Sequence, residues 1–363
     1  MKTLNYGLLG CGMMGQEHIR NILLLDNCRV HAIHEPDATM RTVAAKLVPD
    51  AVFHQSLADL VCDPDLDCLV IVSPNFMHTQ QLKQIADLRA LPILVEKPLS
   101  TSPDDESFIK ELQETYAAPI WVAMEYRYMP PLARFIDMCE DVTGGVRMLT
   151  IREHRFAFLE KVNDWNRLNK YSGGTLVEKC CHYFDLMRLV LHSEPTRVMA
   201  SGAQMVNHLD EVYDGERSDI WDAAYAIFDF ENGAKSMLEL SMFAEGSEFQ
   251  EHITAVGPKG KIECLIPGPT RFWPSHLGAP PEPRLIISPR DPSGASVIEV
   301  KVDEKLLAAG DHHGSTFYQH QGFQRVVLGE QEPEVTLYDG WRAVKMGMAA
   351  QQSSEKSVVI DLT

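Results

Sequence analysis

Gly10-Cys11-Gly12-Met13-Met14-Gly15 follows the apolar run Tyr6-Gly7-Leu8-Leu9 and precedes an amphipathic segment that begins near Gln16. A GxGxxG turn between a strand and a helix is the fingerprint of a dinucleotide-binding unit. Gly10 permits the tight turn, Gly12 lets the backbone approach a pyrophosphate, and Gly15 lets helix and strand pack closely, with helix N–H groups facing the anion. Met13 and Met14 complete the turn and join the glycines as cofactor-binding positions. The next apolar run, residues 29–34, ends at Glu35, about 20 residues on, where such a unit places the acid that binds ribose. A carboxylate there accepts hydrogen bonds from the ribose hydroxyls and repels a 2′-phosphate, so NAD is expected. Arg41, close by in sequence, keeps NADP open.

Outward from this turn, short β-rich runs alternate with helical periodicity as far as residue 123. Strands are expected at 4–9, 29–34, 66–73, 92–96 and 120–124, and helices at 14–25, 37–47, 78–89 and 103–116. That alternation predicts a doubly wound parallel sheet of the Rossmann type, a nucleotide-binding domain over residues 1–123. Beyond it, strand alternation in 146–156, 223–230, 234–242 and 252–256, with an Asn232-Gly233 hairpin signal, predicts a second domain. That domain, residues 124–363, is expected to hold a large, open, mostly antiparallel sheet backed by a few helices. The Pro- and Gly-rich stretch 267–292 reads as a surface excursion.

With 363 residues, 45% of them apolar, the chain has the length for two domains and ample material for their cores. A net charge of −18, from 33 Lys and Arg against 51 Asp and Glu, argues against nucleic acid or an anionic membrane as partner. The eight cysteines form no C-x-x-C pair, and no apolar run approaches the roughly 20 residues that span a bilayer. Together with a chain that runs from Met1 directly into a strand, this predicts a cytoplasmic setting.

Chemistry is expected where parallel strands end, because the carboxyl edge of such a sheet faces its ligand crevice. Ser73, Pro74, Asn75 and His78 follow one strand, Glu96-Lys97-Pro98 follows the next, and Ser73, Pro74, Asn75, His78, Glu96 and Lys97 are all expected to contact the dinucleotide. A lysine at this edge can stabilise an alkoxide or relay a proton. A third constellation, residues 172–189, begins Ser172-Gly173-Gly174. If a helix starts after the glycines, Glu178, His182 and Asp185 fall at i, i+4 and i+7 on one face. His182 then suits removal of a hydroxyl proton as hydride leaves the adjoining carbon. Thr175-x-x-Glu178 also reads as a capping box, which would engage Glu178 structurally. Cys180 and Cys181, adjacent on a helix, point about 100° apart and cannot easily share one ion with His182, so no metal is expected.

In their joint order these motifs, with EYRYMP at 125–130 and HHGSTFYQHQGF at 312–323, resemble the glucose-fructose oxidoreductase, inositol dehydrogenase and rhizopine-catabolism (Gfo/Idh/MocA) family along nearly the whole chain. The resemblance implies an NAD(P)-dependent dehydrogenase with a small sugar or polyol as substrate. Lys97 and His182 match the family's catalytic lysine and histidine, and Glu178 stands where inositol dehydrogenases usually carry Asp. It further implies substrate contacts from Arg127, His154, Trp165, Asn166, Asp185 and His313, and a homodimer or homotetramer built on the open sheet. Two other readings share the motifs: an NADPH-dependent reductase of a keto or aldehyde sugar, and a non-catalytic dinucleotide sensor.

Overall fold

The apolar runs of the first third of the chain are buried on both faces, as parallel strands covered by helices require. The computed structural model describes residues 2–363. Its first sheet is built from β1 (Leu4–Leu9), β2 (Cys28–His34), β3 (Val52–Phe53), β4 (Cys68–Ile71), β5 (Ile93–Val95) and β6 (Ile120–Val122). All neighbours pair in parallel, in the order β3-β2-β1-β4-β5-β6. Leu8, Ile33, Val70, Leu94 and Val122 are fully enclosed between the covering helices. Those helices are α1 (Met13–Ile22), α2 (Ala38–Leu47), α3 (Leu57–Val61), α4 (His78–Leu88) and α5 (Glu106–Thr115). Strand order reverses between β1 and β4, which opens a crevice at their carboxyl ends.

After α6 (Pro130–Thr143), whose proline opens its first turn, the chain enters a second sheet at β7 (Met148–His154). Three short helices, α7 (Asn169–Ser172), α8 (Thr175–Glu178) and α9 (Cys181–Leu191), lead to β8 (Pro195–Ala203). Then follow the small hairpin β9 (Val212–Tyr213) and β10 (Glu216–Arg217), and the strands β11 (Ala223–Phe230), β12 (Lys235–Ser241), β13 (Glu251–Val256), β14 (Gly260–Ile266), β15 (Arg284–Pro289) and β16 (Ser296–Glu299). The chain closes with α10 (Glu304–Ala309), α11 (Ser315–Val327), α12 (Leu337–Lys356) and β17 (Ile360–Asp361). This nine-stranded sheet runs β16-β15-β14-β13-β7-β12-β11-β8-β17, and of its pairings β7 with β12 alone is parallel. Helix α12, started by a reciprocal Thr336–Asp339 capping box, packs on β8 and α9 and also on α5 and β6, and so ties the two sheets together.

The Asn232-Gly233 turn joins β11 to β12 as the sequence predicts, with Gly233 at φ 84°. Three features differ from the sequence reading. β3 and α3 form where no element is expected: a two-residue edge strand carries too little periodicity to read. The helix expected over 103–116 opens with a 3₁₀ turn, Pro103–Asp105, capped by the Ser102 side chain. The stretch 267–292 is a surface excursion only in part. Its last third is β15, which pairs on both edges and buries Leu285 completely, because the proline and glycine density thins after Pro283.

Candidate active site

Each glycine of the first turn occupies a backbone situation that requires or exploits it. Gly10 lies at φ 98°, and a Cβ there would sit 2.7 Å from the Val72 carbonyl oxygen. A Cβ on Gly15 would lie 2.7 Å from the Gly10 carbonyl oxygen, so this glycine sets how closely α1 approaches β1. At Gly12 the backbone is ordinary (φ −62°), and an added Cβ would meet nothing within 4 Å. The middle glycine therefore borders open space at the start of a ten-residue helix, where free N–H groups suit a pyrophosphate. Glu35, at the end of β2, accepts hydrogen bonds from the Cys11 N–H at 2.5 Å and the Asp37 N–H at 2.8 Å. One donor on each oxygen leaves lone pairs for a ribose diol.

Next to this cradle a cavity of about 850 Å³, its mouth included, opens between the two sheets, with Met13, Met14, Lys97, Glu178, His182 and His313 in its wall. The Lys97 ammonium donates to the Glu178 carbonyl oxygen at 3.1 Å. His182 stacks face to face on Tyr126, with ring centroids 4.0 Å apart and planes 6° from parallel, and its buried Nδ1 has no partner among the described residues. Burial, reinforced by Lys97, Lys179, His312 and Arg155, holds its pKa well below the ordinary 6.5, so the ring is a neutral base. Glu178 also buries an unpartnered oxygen, Oε2, and burial raises its carboxyl above 4.5.

The segment carrying Glu178 and His182 is not the single helix the spacing predicts. α8 and α9 are separate, and the Cys180 N–H reaches back to the Thr175 carbonyl in a widened turn. No capping box forms, because the Thr175 hydroxyl donates to the Trp221 carbonyl oxygen at 2.6 Å and Gly174 provides no side chain at the N-cap. Glu178 and His182 still reach the cavity, but Asp185 does not. Its carboxylate is held by the Arg127 guanidinium through two 2.5 Å hydrogen bonds, so both of these expected substrate contacts are engaged with each other outside the cavity wall.

His154 likewise falls outside the wall, because the strand pleat turns it to the other face of the sheet, 2.9 Å from Glu239. Trp165 packs edge-on against Phe76, and Asn166 is fully buried and donates to the Leu159 carbonyl oxygen. Neither lines the cavity. At the carboxyl end of β4, the Ser73 hydroxyl donates to Gln81, Pro74 precedes a 3₁₀ turn, and the Asn75 amide bridges to the Ser172 carbonyl. His78 is fully buried, with its ring nitrogens 2.8 Å from the Pro98 oxygen and 3.0 Å from the Ser73 oxygen, so it joins two loops and has no exposed surface for a ligand. Glu96 accepts from His18 at 2.9 Å and from the Lys97 N–H at 3.1 Å, behind the cavity wall.

Residues 4–124 match an oxidoreductase family's NAD-binding Rossmann fold, and residues 139–362 match the same family's C-terminal alpha/beta domain. The chain belongs to the Gfo/Idh/MocA oxidoreductase family. Among its relatives, the oxidoreductase YrbE of Bacillus subtilis is 28% identical over 362 residues, spanning 97% of this chain and 94% of that protein. The myo-inositol 2-dehydrogenase of Thermotoga maritima is 24% identical over 265 residues, 71% and 74% of the two chains. A levoglucosan dehydrogenase solved with NADH and levoglucosan superposes with a TM-score of 0.80, at 18% identity over 99% of both chains. This member of the family thus carries an NAD-binding Rossmann domain joined to a sheet domain, with the cavity between them.

Several wall residues of this oxidoreductase escaped the sequence reading. His312 Nδ1 lies 2.9 Å from Glu17 and 3.4 Å from Glu125, and the Thr316 hydroxyl sits between the same two carboxylates. Although burial opposes it, the pair of acids raises the His312 pKa to about 9, and Glu17 is lowered to about 2. These three side chains could ligate an ion by proximity, but the imidazolium and the hydroxyl already satisfy the carboxylates. Arg155, Lys161 and Lys179 add three cations to the opposite wall. Nothing in their spacing marks them: the acids beside His312 come from distant parts of the chain, and Lys161 sits in a loop with no motif around it.

Proposed function

We propose that this oxidoreductase oxidises a secondary hydroxyl of a polyhydroxylated small molecule, a sugar or cyclitol, with Lys97, Glu178 and His182 as its catalytic residues. The observation that carries the reading is the convergence of a neutral, unpartnered imidazole, a lysine and a buried carboxylate in one cavity beside an open glycine cradle. Bound NAD supplies the hydride acceptor. His182 takes the hydroxyl proton while the carbinol C–H departs as hydride, leaving a ketone. Lys97 stabilises the alkoxide as it develops, and Glu178 orients the substrate and offsets the lysine's charge. Gly12, with the N–H groups of Met13 and Met14, would hold the pyrophosphate, and Glu35 would hold the ribose. The relatives' activities, myo-inositol and levoglucosan oxidation, support a substrate of this class.

The test is substitution. Lys97→Ala and His182→Ala each lower turnover by roughly 10²–10⁴-fold, the usual worth of a general acid or base, with NADH binding retained by fluorescence titration. Wild-type turnover in both variants contradicts the assignment. Eight free cysteines, six of them buried, support a reducing, cytoplasmic setting. Among the described residues, no helix is long and apolar enough to cross a membrane.

A further inference from the structure

The cavity wall contributed by the second domain carries three cations, Arg155, Lys161 and Lys179, near three acids, Glu153, Glu178 and Glu251, but they are not paired one to one. Lys179 lies 2.9 Å from Glu153 and also donates to the Tyr126 hydroxyl, so it is paired. Arg155 approaches the same Glu153 at 3.5 Å and donates its Nε to the Phe156 carbonyl oxygen. Among the described residues, Arg155 Nη2 has no hydrogen-bond acceptor. Lys161 stands apart from both. Among the described residues its ammonium forms no hydrogen bond and has no carboxylate within 4.0 Å. The acids around the cavity do not answer it. Glu17 is paired with His312 and Asp311 with Arg271, while Glu251 accepts a hydrogen bond from the Gln250 amide and makes no ion pair with Lys161. Glu178 alone faces both Lys97 and Lys161, and it pairs within 4.0 Å with neither.

Lys161 is half-buried and faces the cavity with no carboxylate within 4.0 Å, so its ammonium is free to hold an anionic group of a ligand. The dinucleotide's own phosphates belong at Gly12, in the other domain, so the charge must arrive on the substrate. One ammonium and one guanidinium edge offer a small cationic pair of the size that holds a single carboxylate. We infer that the substrate is a polyhydroxy acid, an aldonate or uronate, whose carboxylate is held by Lys161 with Arg155 while Lys97 and His182 act on a neighbouring carbinol. This rests on the dehydrogenase reading above and narrows it. A neutral cyclitol would leave Lys161 unmatched.

The experiment compares kcat/KM for D-gluconate, D-glucuronate and D-galacturonate with that for D-glucose, D-galactose, myo-inositol and glucose 6-phosphate, using the full chain and either nicotinamide cofactor. At least one acid is expected to exceed its neutral counterpart by about tenfold or more. In Lys161→Gln the acid-to-neutral ratio falls by about 10–100-fold through KM, Lys161→Arg restores part of it, and NADH affinity is unchanged, which shows the variant is folded. Turnover of neutral polyols with an equal ratio in wild type and Lys161→Gln overturns the inference and leaves the dehydrogenase standing. Preference for the phosphate ester overturns the carboxylate assignment. If no compound reacts in either direction and calorimetry with NADH detects no acid binding, both readings fail.

Discussion

The imidazole of His312 sits between two buried carboxylates, and that placement ties the stability of the fold to pH. Its folded pKa of about 9 lies above the 6.5 of an unfolded histidine, so the unfolded chain releases the proton first as pH rises. The stabilisation is complete below pH 6.5 and is lost progressively as pH climbs through about 9, on the order of 3 kcal/mol. Melting curves of the cofactor-free protein should fall across that window, and His312→Gln should remove most of the slope. Parallel curves for the two proteins would show that the contacts with Glu125 and Glu17 carry no such energy. Legibility at this scale followed distance along the chain. Lys97 and His182 could be read because each sits in a local motif at an element's end. The partners of His312 are 295 residues away for Glu17, and no spacing rule reaches that far. Arg127 and Asp185 show the converse, since a charged pair that satisfies itself looks, in sequence, like two free ligands.

Among the elements, the strand-turn-helix at residues 4–22 was the most legible, because its three glycines each answer a different steric demand. That difference makes a prediction. Gly12→Ala should leave the melting temperature within about 2 °C of wild type, since its backbone is ordinary and nothing lies within 4 Å of the new methyl. Its NADH dissociation constant should rise at least about tenfold, because the methyl stands where the pyrophosphate approaches. Gly10→Ala should instead destabilise the fold by roughly 2 kcal/mol or more, through its φ of 98° and the clash with Val72. Equal melting temperatures for the two variants would contradict this division of roles. The α8–α9 break was not legible. It depends on the Thr175 hydroxyl finding the Trp221 carbonyl, a contact that a Thr-x-x-Glu pattern cannot foretell. β15 was hidden for a related reason, in that proline-rich composition ran past the loop it describes.

Across the whole molecule, the nine-stranded sheet has one face packed on helices and another carrying exposed Met148, Met199, Tyr225 and Ile227. Ile227 pairs directly with Met199 on β8 and Met237 on β12, so the apolar side chains form a contiguous patch. We expect this face to join copies of the chain as a dimer or tetramer. Light scattering coupled to gel filtration checks it, and a monomer at micromolar concentration would contradict it. The two-sheet architecture followed from a switch in texture near residue 124, from buried apolar runs separated by helices to alternating strands. The position of the cavity followed from the order of strands β1 and β4, but its charge did not, because the lysines lining it come from loops. The cavity is proposed to carry out nicotinamide-linked oxidation of a carbinol. That oxidation is tested most directly by following the absorbance of reduced nicotinamide when the protein meets polyols, sugars and sugar acids with NAD, and in parallel with NADP. Steady reduction is expected on a small subset, with NAD favoured through Glu35. Silence with every compound and both cofactors, in oxidation and in the reverse assays, by protein that demonstrably binds NADH, would contradict it.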